Sequence, residues 1–474
     1  MLFFRPENIL RITSKNAKDF KFSDGWGIKE AHQNLIQNGA QNVSISLDWT
    51  ANHYRWIIWK FASILRSFPE KYSIANLSPG WVLQQLLYRY EREIHQCNRS
   101  ALKKIIERDD AAGKYLCLMV AGYDNETRTL ELSDGWYSIW TNKLENPFWD
   151  LILNKKIFEG MKIEISGASL TGQEGIPALD ASEKDCPCRL IISRNSCRPA
   201  RWDTKLGFIF TSNRAVAFLK HLHLIHPQGG PIPAINLIID RVYPLLFRED
   251  YGDNHVARNE KDHYLYLETN SEQAVNSKFT PIQRIKVLGN CTTESTALIS
   301  FWNPLGEDQR ALLQEGSAVV ITNLRANSKT AKLSLVSSKS TRILKDENKR
   351  NFTFTSSIVK INLENYFLLS NLKLNESFDI QGVTLGRVGT FFWIGGVNSG
   401  DSTTFLICLK NFNYNLNRGE VINFRDLTFN HFDNREGVAH FTFTEYSDFK
   451  KDPIKINSDS FQFVIKRFKD LTNI

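Results

Sequence analysis

No run of 18 apolar residues occurs in this 474-residue chain, so the sequence offers no membrane-spanning helix and no membrane partner is expected. The recurrent catalytic signatures are absent as well: no GxxxxGKS/T phosphate loop, no GxSxG nucleophile turn, no HExxH zinc helix. The carboxylate pair Asp109-Asp110 closes a predicted helix, where its charge opposes the helix dipole. We therefore expect neither an enzyme nor a cofactor. Cysteine is scarce and unpatterned: seven residues, Cys97, Cys117, Cys186, Cys188, Cys197, Cys291 and Cys408, at irregular spacings. An odd number in a large chain argues for reduced thiols in the cytosol or nucleus. Cys186-Pro-Cys188 with Cys197 nearby is half of a zinc set that no second CxxC or His pair completes. "HLHLIH" (His221, His223, His226) reads as loop or core histidines, so no metal is expected. The opening "MLFFRPENIL" has too short an apolar stretch, and no small-residue cleavage site, for a signal peptide. The closing "FVIKRFKDLTNI" reads as the middle of a helix, which leads us to expect a fragment of something longer.

What is present is a chain of ordinary globular composition, 42% hydrophobic and 23% charged. At roughly 100–200 residues per domain, three or four domains fit. The net charge of +8 is unevenly spread: +5 over residues 1–112, +1 over 113–236, +2 over 237–351 and zero over 352–474. A second local excess lies between Arg325 and Arg350. A basic surface favours polyanions or acidic proteins, although such a run is as often a solvated face.

Residues 1–50 are poorly periodic, a loop-rich lead-in with one or two short helices. From Asn52 the pattern turns helical. "NHYRWIIWKFASILRSFP" places Tyr54, Ile57, Ile58, Phe61 and Leu65 on one face and stops at Pro69. "SPGWVLQQLLYRYEREIH" starts a second helix with Ser78 as N-cap and Pro79 in the first turn, and Ser100 caps a third in "SALKKIIERDD". After Gly113 the texture switches to short alternating strands. "SDGWYSIW" carries Asp134-Gly135 between two apolar stretches and reads as a β-hairpin. Alternation puts Trp136, Ser138 and Trp140 on one face of its second strand.

A repeat then emerges. "FEGMKIEISGASL", "QEGSAVVITNLRA" and "NRGEVINFRDLTF" each set a glycine (Gly160, Gly316, Gly419) before an alternating strand. Upstream of each lies another strand, from Trp136 to Trp140, Leu298 to Trp302, and Phe405 to Phe412. Three copies of strand, gap and Gly-led strand suit three five-stranded Greek-key barrels of the OB fold, whose closure also removes exposed edges. The expected fold class is α+β multidomain, an N-terminal all-α helical domain followed by three OB-fold β-barrels. The expected domains are 1–112, 113–236, 237–351 and 352–474.

"NHYRWIIWK", "LSPGWVLQQLLYRYEREI", "RSALKKIIERDDAAGK", "ELSDGWY" and "RPARWDTKLGF", spanning residues 52–208, resemble the DNA-binding region of the type 2 breast-cancer-susceptibility family of recombination mediators. "LISFWNP" and "LLQEGSAVVITNLRA" resemble that family's second OB fold more loosely, and the third barrel matches in order and length. The resemblance implies a nuclear, non-catalytic protein. It implies binding of single-stranded DNA through the second and third barrels, and help in loading a RecA-family recombinase during double-strand break repair by homologous recombination. It also implies that the helical domain and first barrel hold a small, very acidic partner, the split-hand/split-foot protein shared with the proteasome lid. Two departures stand out. The family's long helical tower has no counterpart between Arg248 and Pro281, which puts duplex contact in doubt. No Phe-x-x-Ala core for recombinase docking lies in a suitable loop, since "FIFTSNRA" fails the spacing, so that docking is expected from regions outside this chain or from another surface.

Single-strand binding needs rings that stack on bases and cations that track phosphates. In the second barrel the candidates are Arg284, Lys286, Phe301, Trp302, Lys329 and Lys332. In the third they are Phe391, Trp393, Lys410, Phe412 and Tyr414, with Phe392 beside them in "GTFFWIGG" and with alternation placing the last three on one face. Against this stands the requirement that many such aromatics fill cores. For the acidic partner the candidates are Arg55, Trp56, Trp59, Trp81, Lys103, Lys104, Arg108, Trp140, Arg201 and Trp202, because aromatics and basic residues anchor interfaces and Trp140 is the expected dock of the hairpin pair. Competing readings are a general single-strand-binding protein of the replication protein A type, which lacks such a helical leader, and a protein-only OB-fold scaffold, which the zero net charge of residues 352–474 keeps open.

Overall fold

The computed structural model describes the chain except residues 1, 4–8, 10, 173–174, 211–217, 220, 252–253, 271–278, 290–291, 303–304, 328–332, 347–355, 363–368, 370, 398–403, 455–457 and 473–474. It forms two compact units, one of residues 1–219 and 224–234, the other of residues 220–223 and 235–474. The architecture is a helical domain followed by OB-like β-domains, an α+β multidomain fold.

In the first unit the helices are Ile28–Gln37, Leu47–Ser67, Pro79–Tyr90 and Ala101–Ile106. The starts of the last three follow from serine caps. Ser46, Ser78 and Ser100 accept the amides of Trp49, Trp81 and Lys103, which satisfies donors the first turn leaves open. The predicted apolar face of Leu47–Ser67 is buried, and so are Trp56 and Trp59. Met119 and Ala121, from the strand Leu116–Asp124, join the same apolar core, so the helical layer rests directly on a sheet. That sheet orders Ser138–Trp140, Thr129–Ser133, Leu116–Asp124, Lys162–Ile165 and Cys197–Pro199.

The second unit holds two closed five-stranded rings. In one, Pro231–Val242 pairs with Phe279–Gly289, then follow Thr292–Phe301, Ser334–Lys345 and Ala318–Asn327, which pairs back to the start. In the other, Ser377–Val388 pairs with Phe391–Val397, then Thr404–Lys410, Val438–Thr442 and Val421–Asp433 close the circle. Each ring contains one parallel pairing, the mark of a Greek-key path.

The glycine repeat has one structural cause. Gly160, Gly316 and Gly419 have φ of +91°, +85° and +83°, a region open to glycine at little cost. Each donates its amide to the first strand of its own barrel, at Val120, Ile239 or Thr384, over 2.8 to 2.9 Å. The amide of that same strand residue donates back to the carbonyl just after the glycine. In all three first strands the register shifts at this point, a β-bulge that sharpens the coil needed for closure.

Between the first two strands of the second barrel the chain adds a hairpin, Leu246–Tyr251 with Asn254–Asn259, and a ten-residue helix, Glu260–Thr269. A helix, Ser458–Thr472, packs Val464 and Phe468 against the third barrel.

Candidate functional site

The "SDGWYSIW" turn is the centre of a buried polar network in the first unit. Asp134 Oδ1 accepts the amides of Trp136 and Tyr137, and Oδ2 accepts the Leu102 amide, which ties the turn to a helix start. Arg89 donates to the Gly135 carbonyl at 2.8 Å and lies within 3.0 Å of His53 Nδ1. Glu93 receives Lys103 and the Tyr137 hydroxyl, each at 2.6 Å, with His53 Nε2 at 3.3 Å. Burial above all lowers the His53 pKa, with Arg89 adding to the effect, so the ring is held neutral. Burial would raise the Glu93 carboxyl, but bonds from His53, Lys103 and Tyr137 outweigh it and hold the group ionised. The strand after this turn is only Ser138–Trp140, and all three of its residues are buried. Trp136 therefore belongs to the turn and not to an alternating strand, with Arg89 stacked 5.0 Å from its ring.

The residues expected at the acidic partner separate on burial. Trp56 and Trp59 are fully buried, edge to face at 5.6 Å, and Trp140 is only 5% exposed with its indole bonded to the Ser182 carbonyl. These three are corrected from docking groups to packing groups: a long helix under a barrel buries most of its circumference, and the strand of Trp140 is covered on both faces. Trp81 packs half-buried on Phe61. Arg55 pairs with buried Glu131 at 2.8 Å, and Lys103 belongs to the Glu93 network. Lys104 is half-buried, while Arg108 is exposed and bonds the Gly172 carbonyl. Arg201 pairs with Asp203. Trp202 is 55% exposed. It rests against Phe68 with Lys71 5.3 Å over its ring, on the rim of a groove of about 590 Å³ shared with Tyr72, Phe158, Lys60 and Lys162. Sequence reasoning found only Trp202 of this set, because the others come from two separate stretches, around Lys60 to Tyr72 and Phe158 to Lys162.

The DNA candidates separate in the same way. Phe301, Phe392 and Phe412 are fully buried, so the expectation that Phe301 and Phe412 stack on bases is corrected. The alternation argument for Lys410, Phe412 and Tyr414 fails at Asn411, whose φ of +63° ends the strand at Lys410 and turns Phe412 into the barrel core against Phe392, Phe424 and Phe443. Trp393 and Phe391 pack half-buried beside the helix Ser458–Thr472, Trp393 lying 5.7 Å from Phe468. Lys286 faces Asp240 at 3.6 Å, and Trp302 lies under Arg248. Arg284 stacks over Tyr446. Lys410 is exposed. Lys329 and Lys332 lie outside the described residues.

Tyr414, one of the rings expected to bind DNA, lines a cleft of about 420 Å³ inside the second unit. Around it stand Tyr243 and Tyr446, 5.6 Å apart, and Phe449, 5.1 Å from Tyr414. Lys261, Arg425 and Lys450 bring positive charge to the lining, and Glu260 and Asp448 bring negative charge. Sequence reasoning missed all of these but Tyr414. "RVYP" and "EYSDFKK" carry the aromatic-next-to-cation signal, yet nothing in the sequence says that they meet.

Residues 23–97 match the family model described as BRCA2, helical, and residues 100–209 match BRCA2, oligonucleotide/oligosaccharide-binding, domain 1. Two Arabidopsis thaliana proteins, Protein BREAST CANCER SUSCEPTIBILITY 2 homolog A and homolog B, are each 32% identical over 283 residues, covering 54% of this chain and 24% of the relative. The chain thus spans about a quarter of the length of these curated relatives. Among solved structures, a replication protein A heterotrimer bound to ssDNA aligns over 53% of this chain and 54% of that one, at 12% identity and a TM-score of 0.29, a likeness too slight to carry any argument. The chain carries the BRCA2 helical domain and first OB domain, and over about half of its length it is homologous to the plant BRCA2 homologues.

Proposed function

We propose that this chain is the single-stranded DNA-binding part of a nuclear recombination mediator that helps load a RecA-family recombinase in double-strand break repair by homologous recombination. The observation that carries the reading is the order of parts: BRCA2-type helical and first OB domains over residues 23–209, followed by two closed barrels. In this reading the domains fall at 1–112, 113–236, 237–351 and 352–474, the later two take the DNA, and the first two hold the small acidic protein. The groove around Trp202, with Lys60, Lys71 and Lys162 nearby, supports the second half of that division. The DNA half is tested by titrating the whole chain with single-stranded and blunt duplex oligonucleotides of matched length at several salt concentrations. Single strands should bind more tightly, with a slope of log affinity on log salt near −0.7 per phosphate contact. Equal affinity for the duplex would overturn the reading.

A further inference from the structure

The short hairpin and helix in the second barrel bring one residue to a place the sequence does not foretell. Asn259 caps the helix Glu260–Thr269, and its side chain also donates to the Tyr414 hydroxyl at 3.2 Å. That hydroxyl in turn approaches Asp262 at 3.4 Å. The insertion of one barrel is thereby fastened to a ring of the next. Lys261, between these two anchors, hangs its ammonium 5.8 Å from the Tyr414 ring centre and 5.2 Å from that of Phe449.

The cations of the cleft are not equivalent. Arg241 is spent on Asp379 and Glu315, and Arg425 on Glu315. Among the described residues no carboxylate lies within ion-pair reach of Lys261 or Lys450, and both are exposed. Tyr414 and Phe449 are half-buried, so each has a packed side and an open one. A half-open ring beside an uncommitted ammonium is the arrangement that holds a base by its face and a phosphate by its charge. The cleft volume falls within the range of roughly 300–1,000 Å³ usual for small-ligand sites.

We propose that this cleft is a subsite for one unpaired nucleotide of a single-stranded nucleic acid, its base lying against Tyr414 and Phe449 and its flanking phosphates met by Lys261 and Lys450. The inference rests on the single-strand reading above and adds where one nucleotide is held. It gives the short insertion a task at the junction of the barrels, in place of a reach toward distant duplex. Tyr414 is the expected DNA-binding residue that the fold leaves available there, whereas its neighbour Phe412 is core.

The test uses the whole chain and fluorescence titrations with an oligothymidylate and with an abasic strand of equal length. Lys261→Ala with Lys450→Ala should weaken both strands and shrink the salt slope by roughly 1.4, two contacts' worth. Tyr414→Leu should weaken the oligothymidylate between about fivefold and about a hundredfold, as loss of one base stack does, and leave the abasic strand unchanged. Tyr414→Phe, which keeps the ring, should restore base-dependent binding if Tyr414→Leu disturbs the fold. If wild type binds single strands and the lysine pair leaves affinity and slope unchanged, the subsite is wrong and the broader reading stands. If wild type fails to bind single strands, both fall. If polyglutamate displaces the strand from wild type but not from the lysine variant, the cleft belongs to an acidic protein.

Discussion

In the first unit, Trp56 and Trp59 have no exposed surface and Trp140 almost none, while in the second unit Tyr243, Tyr414, Tyr446 and Phe449 stand half-open around a cleft. The polar groups differ in parallel. The first unit seals His53, Arg89, Glu93 and Tyr137 into a network beneath the barrel turn, with Lys103 closing it from the side. The second unit leaves Lys261 and Lys450 exposed beside its rings. An aromatic-rich sequence thus serves two purposes, and the deciding variable is coverage. A helical layer lies over the first barrel and takes its aromatics into a shared core. At the junction of the second and third barrels the described residues contribute only the start of the short helix Glu260–Thr269, and the rings stay half-buried.

The strongest way to break this contrast is to truncate one ring of each kind. Trp56→Ala should cost about 3–5 kcal/mol of stability, as loss of a fully buried large side chain does. Phe412→Ala should cost a similar amount in the second unit. Trp202→Ala, at an exposed site, should stay within about 0.5 kcal/mol while loosening the acidic partner. Denaturant unfolding reads the stabilities. A Phe412→Ala protein that unfolds like wild type would return that ring to the surface.

A smaller effect is expected at the shared turn. Gly316→Ala forces a side chain into a positive-φ conformation and should cost about 1–2 kcal/mol. Unfolding midpoints compared with those for Gly160→Ala and Gly419→Ala show whether the three barrels share one constraint.

The smallest expected difference is in pH dependence, and it has opposite signs in the two units. His53 has a lowered folded pKa, so the unfolded chain binds its proton more readily. The stability it contributes is present above the ordinary value of 6.5 and is lost as pH falls below it. Glu93, also lowered, loses its contribution as pH falls below 4.5. Asp426, buried in the second unit, is pushed up to about 6 by burial against the pull of Arg241. Its protonated form favours the fold, so this contribution is present below the ordinary 3.8 and is lost as pH rises through about 6. Between pH 6.5 and 4.5, acidification should therefore destabilise the first unit and favour the second, as residue-resolved hydrogen exchange at several pH values would show.

Local chemistry made the repeat legible. Gly160, Gly316 and Gly419 each sit next to the strand they close, so turn and alternation occupy one short window. Helix starts at Ser78 and Ser100 were legible for the same reason. What could not be read was which side of an alternating stretch is covered. Alternation groups Trp136 with Trp140 and Lys410 with Phe412, but Trp136 lies in the turn and Asn411 takes a left-handed conformation between Lys410 and Phe412. A single reversed φ exchanges the faces of everything after it. The cleft was illegible because Lys261, Tyr414 and Phe449 come from three distant segments, and only the closed barrels bring them together.

The division of labour between the units is tested most directly by hydrogen exchange on the whole chain with and without a saturating single-stranded oligonucleotide. The account predicts that new protection falls on the second unit around Asn259 to Lys261, Asn411 to Tyr414 and Ser447 to Lys450, with the helical domain unchanged. Protection confined to residues 23–209 while the strand is bound would contradict it.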